Sequence, residues 1–410
     1  MFDAEPDGWE QTTLGAVATL AGGTTPSKSE EGYWTDGSIP WATPSDITSL
    51  PNGKARISAT EVSVTDRALK ECSLTLNPPS TVLMTSRATI GYAALNDVPM
   101  ATNQGFITFR CGERTDPEFL LHWLTAKRDF LVAAAGGSTF KELSRGTAKL
   151  LPILLPPLDE QRRIAEVLRS VDDAIAASED VGEHHRALKT HLAVFAFSHG
   201  LRGAETCETE IGPIPAHWRF ARLEEVTHNV GVGIASSATH AYVAAGTPLL
   251  RNQNIKAGHL DLSDLLYVSD DYDASYASKR VKTGDVITMR TGYPGASAVI
   301  PDELNGCQTF TTLISRPDQR IIQPRFLCEW INSPTGMREV SKRQAGGAQQ
   351  NLNAGALKLL PVPVPPLEEQ AEIAALLDSF PFNDGALATI LAVRDSLRAD
   401  LLSGRVRVPA

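Results

Sequence analysis

Arg, Asn, Gln, Ser, Thr and Lys gather in short loops of this chain, in two comparable sets. The first set holds Thr24, Thr25, Ser27 and Lys28, then Ser45, Arg87, Thr89, Asn103, Gln104 and Lys141. The second holds Arg251, Asn252 and Gln253, then Arg290, Thr291, Tyr293, Gln308, Lys342, Arg343 and Gln349. Arg can grip a guanine edge through two parallel hydrogen bonds, and Asn and Gln can do the same for adenine. Ser, Thr and Lys can hold phosphates. Solvated surface loops carry the same residue types one at a time. Recurrence in both halves, with different residues at comparable places, is what two readers of two different base sequences require.

Bond-making chemistry is hard to find. Asn77-Pro78-Pro79 resembles the turn that stacks a flipped adenine for methyl transfer, but Ser80 stands where the aromatic ring is needed. Gly22 to Lys28 lacks the second glycine of a phosphate-binding loop, and Gly231-Val232-Gly233 does not complete a dinucleotide fingerprint. The nine histidines form no H-E-x-x-H. His184 and His185 are neighbours on a helix, where adjacent side chains point apart. No Ser or Cys sits in a nucleophile elbow. The five cysteines (Cys72, Cys111, Cys207, Cys307, Cys328) are scattered, with no C-x-x-C, and read as reduced thiols. A non-catalytic chain without a metal or cofactor of its own is expected.

Bulk properties bound the rest. The 410 residues are enough for two or three domains. No apolar run reaches the roughly 18 residues of a membrane span, and the acidic start Met1-Phe2-Asp3-Ala4-Glu5 is unlike a secretory signal. A cytoplasmic location is expected. Net charge is −10, unlike a simple basic DNA binder, but residues 202–366 balance at 16 basic against 16 acidic. Affinity for DNA must then come from local patches or from a partner.

The elements that would position the loops are written twice, at one constant offset. Leu151-Pro152, Pro156-Pro157-Leu158, Glu160-Gln161 and Ile164-Ala165 repeat as Leu360-Pro361, Pro365-Pro366-Leu367, Glu369-Gln370 and Ile373-Ala374. Pro6, Trp9, Leu14 and Val17 repeat as Pro215, Trp218, Leu223 and Val226. Each half opens with short β-rich runs between Gly/Pro/Ser/Thr turns, which predicts an α+β domain. Each closes on a helix started by acidic residues after Pro-Pro. In the first helix a coiled-coil stripe runs Ile164, Val167, Val171, Ala174, Ser178, Val181, His185, Leu188, Leu192, Phe195. In the second it runs Ile373, Leu376, Phe380, Asn383, Leu387, Ile390, Arg394, Leu397, Leu401. Pro381 and Gly385 predict a kink or break there. Each stripe needs a partner, and antiparallel packing of the two helices is the simplest arrangement.

The expected segments are a domain at 1–157, a central helix at 158–201, a second domain at 202–366 and a distal helix at 367–410. Their order resembles the specificity subunit of type I restriction–modification systems. So do Gly22-Gly23-Thr24-Thr25-Pro26-Ser27 followed by Ile39-Pro40-Trp41 and Asp46-Ile47, Leu-Pro-x-x-x-Pro-Pro-Leu-x-Glu-Gln at 151–161 and 360–370, Ile211 to Trp218, and Leu401 to Val406. The resemblance implies an α+β fold with an internal pseudo-two-fold repeat: two α/β target recognition domains joined by two long antiparallel coiled-coil helices. It implies a part in phage defence and DNA methylation, in which each domain reads half of a bipartite, asymmetric site on double-stranded DNA. The helices would space the half-sites and dock two adenine-N6 methyltransferase subunits that use S-adenosylmethionine. Restriction subunits using ATP and Mg2+ would join in some complexes. A helix of about 40 residues spans roughly 60 Å, enough to hold half-sites one DNA turn, roughly 34 Å, apart. The segment Phe380–Gly385 departs from the acidic–apolar pattern of Val171-Asp172-Asp173-Ala174-Ile175. The alternative from the residues alone is a non-catalytic coiled-coil scaffold with two protein-binding domains.

Overall fold

The computed structural model describes residues 6–137, 141–344, 351–380 and 384–408. The chain divides into two compact units, Met1–Gly182 with Asn383–Ala410, and Glu183–Phe382. The division cuts the central helix (Leu158–His199) in its middle, rather than at the ends expected from sequence. The cause is burial. Ile164, Ala165 and Leu168 enter the core of the first unit, while Ala193, Ala196 and Phe197 enter that of the second.

The repeated motif is the frame of each unit. In the first, Glu10–Thr13 pairs antiparallel with Pro152–Leu155. In the second, the matching strands of the repeat, Arg219–Arg222 and Pro361–Val364, pair antiparallel in the same register. Glu160, at the start of the central helix, accepts a hydrogen bond from Trp9 Nε1 (3.2 Å), and Glu369 accepts one from Trp218 Nε1 (3.0 Å). The glutamine that follows each is fully buried. Gln161 accepts from Asp116 N (2.9 Å) and donates to Arg114 O (2.9 Å) and Pro156 O (2.8 Å). Gln370 accepts from Gln323 N (2.7 Å) and donates to Ile321 O (2.9 Å) and Pro365 O (2.8 Å). A buried amide is tolerated only when its donors and acceptors are satisfied, and here each staples one helix start to another. The Glu-Gln pair recurs because each half needs the same two staples.

Around this frame each unit builds a sheet backed by a helix. The first has five strands in the order Ala18–Gly22, Phe106–Cys111, Val82–Thr85, Ala93–Asn96, Arg56–Ile57. The second has four, in the order Thr227–Val232, Leu313–Pro317, Val286–Thr288, Ser297–Val299. The helix Pro117–Ala126 buries Phe119 to Leu124, and Pro324–Asn332 buries Phe326 to Ile331. A further sheet accompanies each, of three strands in the first unit and four in the second. In both, one parallel pair joins it together, Ile39–Ala42 with Ala101–Thr102 and Thr247–Arg251 with Gln308–Phe310.

The distal segment is interrupted, as its composition predicts: one helix covers Leu367–Asp378 and another Asp384–Ser403. Pro381 and Asn383 lie outside the described residues, and Gly385 falls within the second of these helices. In the first unit Arg407 meets Glu160 (2.6 Å) while Arg398 meets Asp172 (3.3 Å), so Asp384–Ser403 runs antiparallel to the central helix. In the second unit Phe380 lies beside His185 and Glu372 pairs with Arg202 (2.8 Å), an antiparallel arrangement again.

The expected stripe needs correction. Ile164, Ile373 and Leu401 are buried, and Val167, Val171, Leu192, Leu376, Leu387, Ile390 and Leu397 are half-buried. Leu188 and Phe195, however, are each 48% exposed. A 3–4 stripe walks around a straight helix. From Ile164 to Phe195, at about 100° per residue, it falls roughly 140° short of nine full turns. The buried face stays put: Leu168, Asp172 and Ile175 continue it, and Ala193, Ala196 and Phe197 end it.

Candidate nucleic-acid interface

In the first unit the predicted loops converge. The turn after Ala18–Gly22 lies on the end of the strand Ala101–Thr102, with Thr24 N donating to Thr102 O (3.0 Å). A Cβ at Gly23 would stand 2.0 Å from Asn103 O, so only glycine permits this approach. Thr25 Oγ1 donates to Gln104 Oε1. Asn103 N donates to Ala42 O (3.0 Å), which brings Ser45, in the helix Pro44–Thr48, beside this loop. Ser86 N donates to Gly105 O (2.7 Å) and Leu143 N to Ser86 O (3.0 Å), adding the turn with Arg87 and Thr89 and the segment with Lys141. Arg87 pairs with Glu142 (2.9 Å). Ser27, Lys28, Ser45, Gln104 and Lys141 are exposed; Thr25, Thr89 and Asn103 are half-buried. Asn103 Oδ1 accepts from Gly105 N (2.8 Å) and so shapes its own turn.

The second unit gathers the equivalent loops. A Cβ at Gly233 would stand 2.4 Å from Thr309 O, the counterpart of the Gly23 contact. Arg290-Thr291-Gly292-Tyr293 occupies the place of Ser86-Arg87-Ala88-Thr89. Gly91 N donates to Thr85 O and Gly295 N to Met289 O, both at 2.9 Å, and Leu352 N donates to Arg290 O (3.1 Å) as Leu143 N does to Ser86 O. Ala88 and Gly292 both have positive φ, 56° and 87°. Asn252 is turned inward. Its Nδ2 donates to Thr291 Oγ1 (3.0 Å) and its Oδ1 accepts from Arg290 N (3.1 Å), so it ties two loops together. Arg290 Nε donates to Asn351 Oδ1 (3.0 Å).

Several predicted residues serve other ends. Gln308 is fully buried and donates to Asp273 Oδ1 (2.8 Å) and Tyr276 O (3.1 Å), so it holds a helix and faces no ligand. Its polar type gave no warning, because the parallel pairing that buries it joins residues far apart in sequence. Arg343 is half-buried against Glu339 (2.8 Å), which also takes Lys342 (2.6 Å). Gln349 lies outside the described residues. Sequence reasoning missed Asp264, whose carboxylate accepts from Arg251 (2.8 Å) and Gln253 (2.6 Å). It sits in an unremarkable Leu/Asp/Ser stretch and carries no local signal. Exposed pairs such as Arg87–Glu142 contribute at most about 1 kcal/mol, so a phosphate or base edge can take over the arginine at small cost.

Among the described residues no group of three or more His, Cys, Asp or Glu could hold a metal ion. No described helix is long and apolar enough to cross a membrane.

Known proteins resemble this chain over both units. The family model for the type I restriction modification DNA specificity domain matches residues 6–181 and again 215–384. The MjaIX specificity subunit of Methanocaldococcus jannaschii is 40% identical over 172 residues, 42% of this chain and 39% of that protein. The EcoBI specificity subunit of Escherichia coli is 25% identical over 317 residues, 72% of this chain and 66% of that protein. The chain thus spans 39% and 66% of the length of these two curated relatives. In fold it is similar to the crystal structure of a type I restriction–modification S subunit from M. genitalium, with a TM-score of 0.60, 16% identity and coverage of 97% of this chain and 96% of that one. A chain from a structural study of type I complex assembly and conformational transition gives a TM-score of 0.55 at 20% identity, covering 98% of this chain and 100% of that one. With its domain matched twice, on the two halves of the internal repeat, the chain belongs to the type I restriction–modification DNA specificity family.

Proposed function

We propose that this chain reads DNA for a type I restriction–modification complex, each unit reading one half of a bipartite, asymmetric site. One observation carries the reading: a single frame, built twice with the same staples, presents two equivalent loop clusters whose residues differ. Constant frame with variable loops is the economy of a protein that binds one kind of partner twice and two different sequences once each. The partners that fit are two adenine-N6 methyltransferase subunits carrying S-adenosylmethionine, with restriction subunits using ATP and Mg2+ in a complex that also cleaves. This chain supplies recognition, and the chemistry belongs to the partners. A scaffold with two protein-binding domains accounts for the frame but not for Arg, Asn, Gln and Thr at equivalent loops.

The net charge of −10 fits a reader that needs partners to close around the duplex. Binding by the isolated chain is weak and steeply salt-dependent; binding in the complex is tight. The test is co-expression with a cognate methyltransferase subunit, followed by methylation-sensitive sequencing of host DNA. The expected result is a bipartite motif with N6-methyladenine in each half, and a change in one half only when residues 1–157 are exchanged. A stable complex without a methylated motif overturns the reading.

A further inference from the structure

Tyr293 is 79% exposed, more than any other large apolar or aromatic side chain among the described residues. It stands at the tip of the turn Arg290–Tyr293, and that turn is firmly held. Its base is closed by Met289 N donating to Ala296 O (2.7 Å) and Gly295 N donating to Met289 O (2.9 Å). Tyr293 N lies 3.2 Å from Met289 Sδ, and Ala296 N donates to Tyr293 O (3.2 Å). Asn252 fixes Thr291 and Arg290 from the side, and Asn351 fixes the Arg290 guanidinium. Exposing an aromatic ring forfeits its burial energy, and the bonds that tie the turn hold the Tyr293 backbone at its tip.

An exposed ring on a tied turn, beside Arg, Asn, Gln and Thr side chains, matches one ligand chemistry, the stacked bases of a nucleic acid. The polar groups reach base edges and phosphates, and the ring has a π-face for a base. The equivalent turn of the first unit ends on Thr89, which has no ring and is half-buried. The two units are therefore asymmetric in the kind of contact their tips make.

We propose that Tyr293 is a specificity-determining wedge, which stacks against a base or enters a base step in the half-site read by the second unit. This rests on the DNA-reading function above. A step that unstacks easily, such as a pyrimidine–purine step, costs least to open and is preferred at that position. The equivalent tip of the first unit carries no ring, so the distortion made by this turn belongs to one half-site.

The test uses the complex of this chain with its methyltransferase subunits and the bipartite duplex identified by sequencing. 2-Aminopurine is placed in turn at each adenine of both half-sites. Tyr293→Ala and Tyr293→Phe are compared with the unaltered chain. Tyr293 is on the surface, so both variants fold; thermal unfolding within about 1 °C of the parent verifies this. Beside the signal of the target adenine that the methyltransferase flips in each half-site, the expected result is a fluorescence change at a non-target position, confined to the second half-site. Tyr293→Phe keeps it, and Tyr293→Ala loses it together with roughly 5- to 100-fold in affinity, the span expected for removing one base–aromatic stack. Relaxed methylation at one or two positions of that half-site, with the other half unchanged, is the matching readout. If the unaltered complex methylates its bipartite motif while Tyr293→Ala binds within twofold and keeps the same motif and fluorescence, the wedge is overturned and the DNA-reading function stands. If the unaltered complex methylates no motif, the function itself fails, and the wedge with it.

Discussion

Acid should destabilise the first unit through one histidine. His122 lies on the helix Pro117–Ala126 and is almost wholly buried. It faces Asp172 and Arg169 of the central helix and Arg394 and Arg398 of the distal helix, with Nδ1 3.8 Å from Asp172 Oδ2. Burial, aided by the positive charge of Arg398, Arg394 and Arg169, pushes its pKa down to about 3. In the unfolded chain the same imidazole titrates near about 6.5. Below that value the unfolded state takes up a proton that the folded state refuses. The contribution of His122 is therefore fully present above pH 6.5 and lost as pH falls toward 3. Linkage puts the loss at roughly 2 kcal/mol between pH 7 and pH 5, with a limiting slope of about 1.4 kcal/mol per pH unit.

Asp172 acts in the opposite sense. Burial raises its pKa against the pull of Arg398 and Arg394, so protonation of the folded state on further acidification partly restores stability. Asp172 is present in both chains compared, so the difference between them reports His122. The variant is His122→Leu. It is close in volume, and at 3.8 Å no hydrogen bond to Asp172 is lost. Urea unfolding followed by tryptophan fluorescence, at half-unit steps of pH, gives stability for both chains. The difference between them should shrink or reverse by roughly 2 kcal/mol on going from pH 7 to 5. Parallel pH profiles for the two chains would refute the reasoning, since they would mean that His122 is protonated as readily folded as unfolded.

Further outcomes follow from the backbone and the staples. Ala88 holds φ at +56°, where the second unit has Gly292, so Ala88→Gly should relieve strain and stabilise by about 1 kcal/mol. In a unit of this size that raises the melting temperature by roughly 2–4 °C, read by scanning calorimetry. Gln161→Leu leaves Asp116 N, Arg114 O and Pro156 O without a partner, and Gln370→Leu does the same to Gln323 N, Ile321 O and Pro365 O. Each should cost at least about 3 kcal/mol, at roughly 1–3 kcal/mol for each of the three groups left unsatisfied. Gln161→Leu should lower the unfolding transition of the first unit and Gln370→Leu that of the second, while the exposed Gln104→Leu should move neither by more than about 0.5 kcal/mol.

What could be read in the sequence was whatever local chemistry dictates. The constant offset that carries Trp9 onto Trp218 and Gln161 onto Gln370 located the frame, because both copies must satisfy the same buried groups with the same side chains. Pro381 signalled that one helix could not run through from Leu367 to Ser403, because proline inside a helix breaks it, whereas Gly385, expected to break it too, lies within the helix Asp384–Ser403. Gly23 belonged to a Gly/Thr/Pro/Ser turn, but nothing local showed that it lies against Thr102–Asn103, or that Gly233 lies against Thr309, contacts made between distant parts of the chain. The limits came from non-local facts. The helical stripe was written at a coiled-coil period, and the helix keeps one straight buried face instead. Gln308 has the composition of a reader and the position of a core residue, and Asn252 has the composition of a reader and the contacts of a brace.

The two units also differ in how each grips the central helix, and the difference follows from one exchanged residue. His122 in the first unit and Glu329 in the second occupy equivalent places on their helices, each directly before the tryptophan of a shared Phe-Leu-x-x-Trp run. His122 is held neutral and leaves Asp172 to satisfy Arg398 and Arg394. Glu329 meets Lys189 of the central helix (3.1 Å) and Arg325 (3.8 Å), which in turn grips Asp378. Buried charges that depend on one another tolerate little sliding, since a displaced partner leaves an unpaired charge costing several kcal/mol. Each unit thus fixes its own register on the shared helix by a different set of charges.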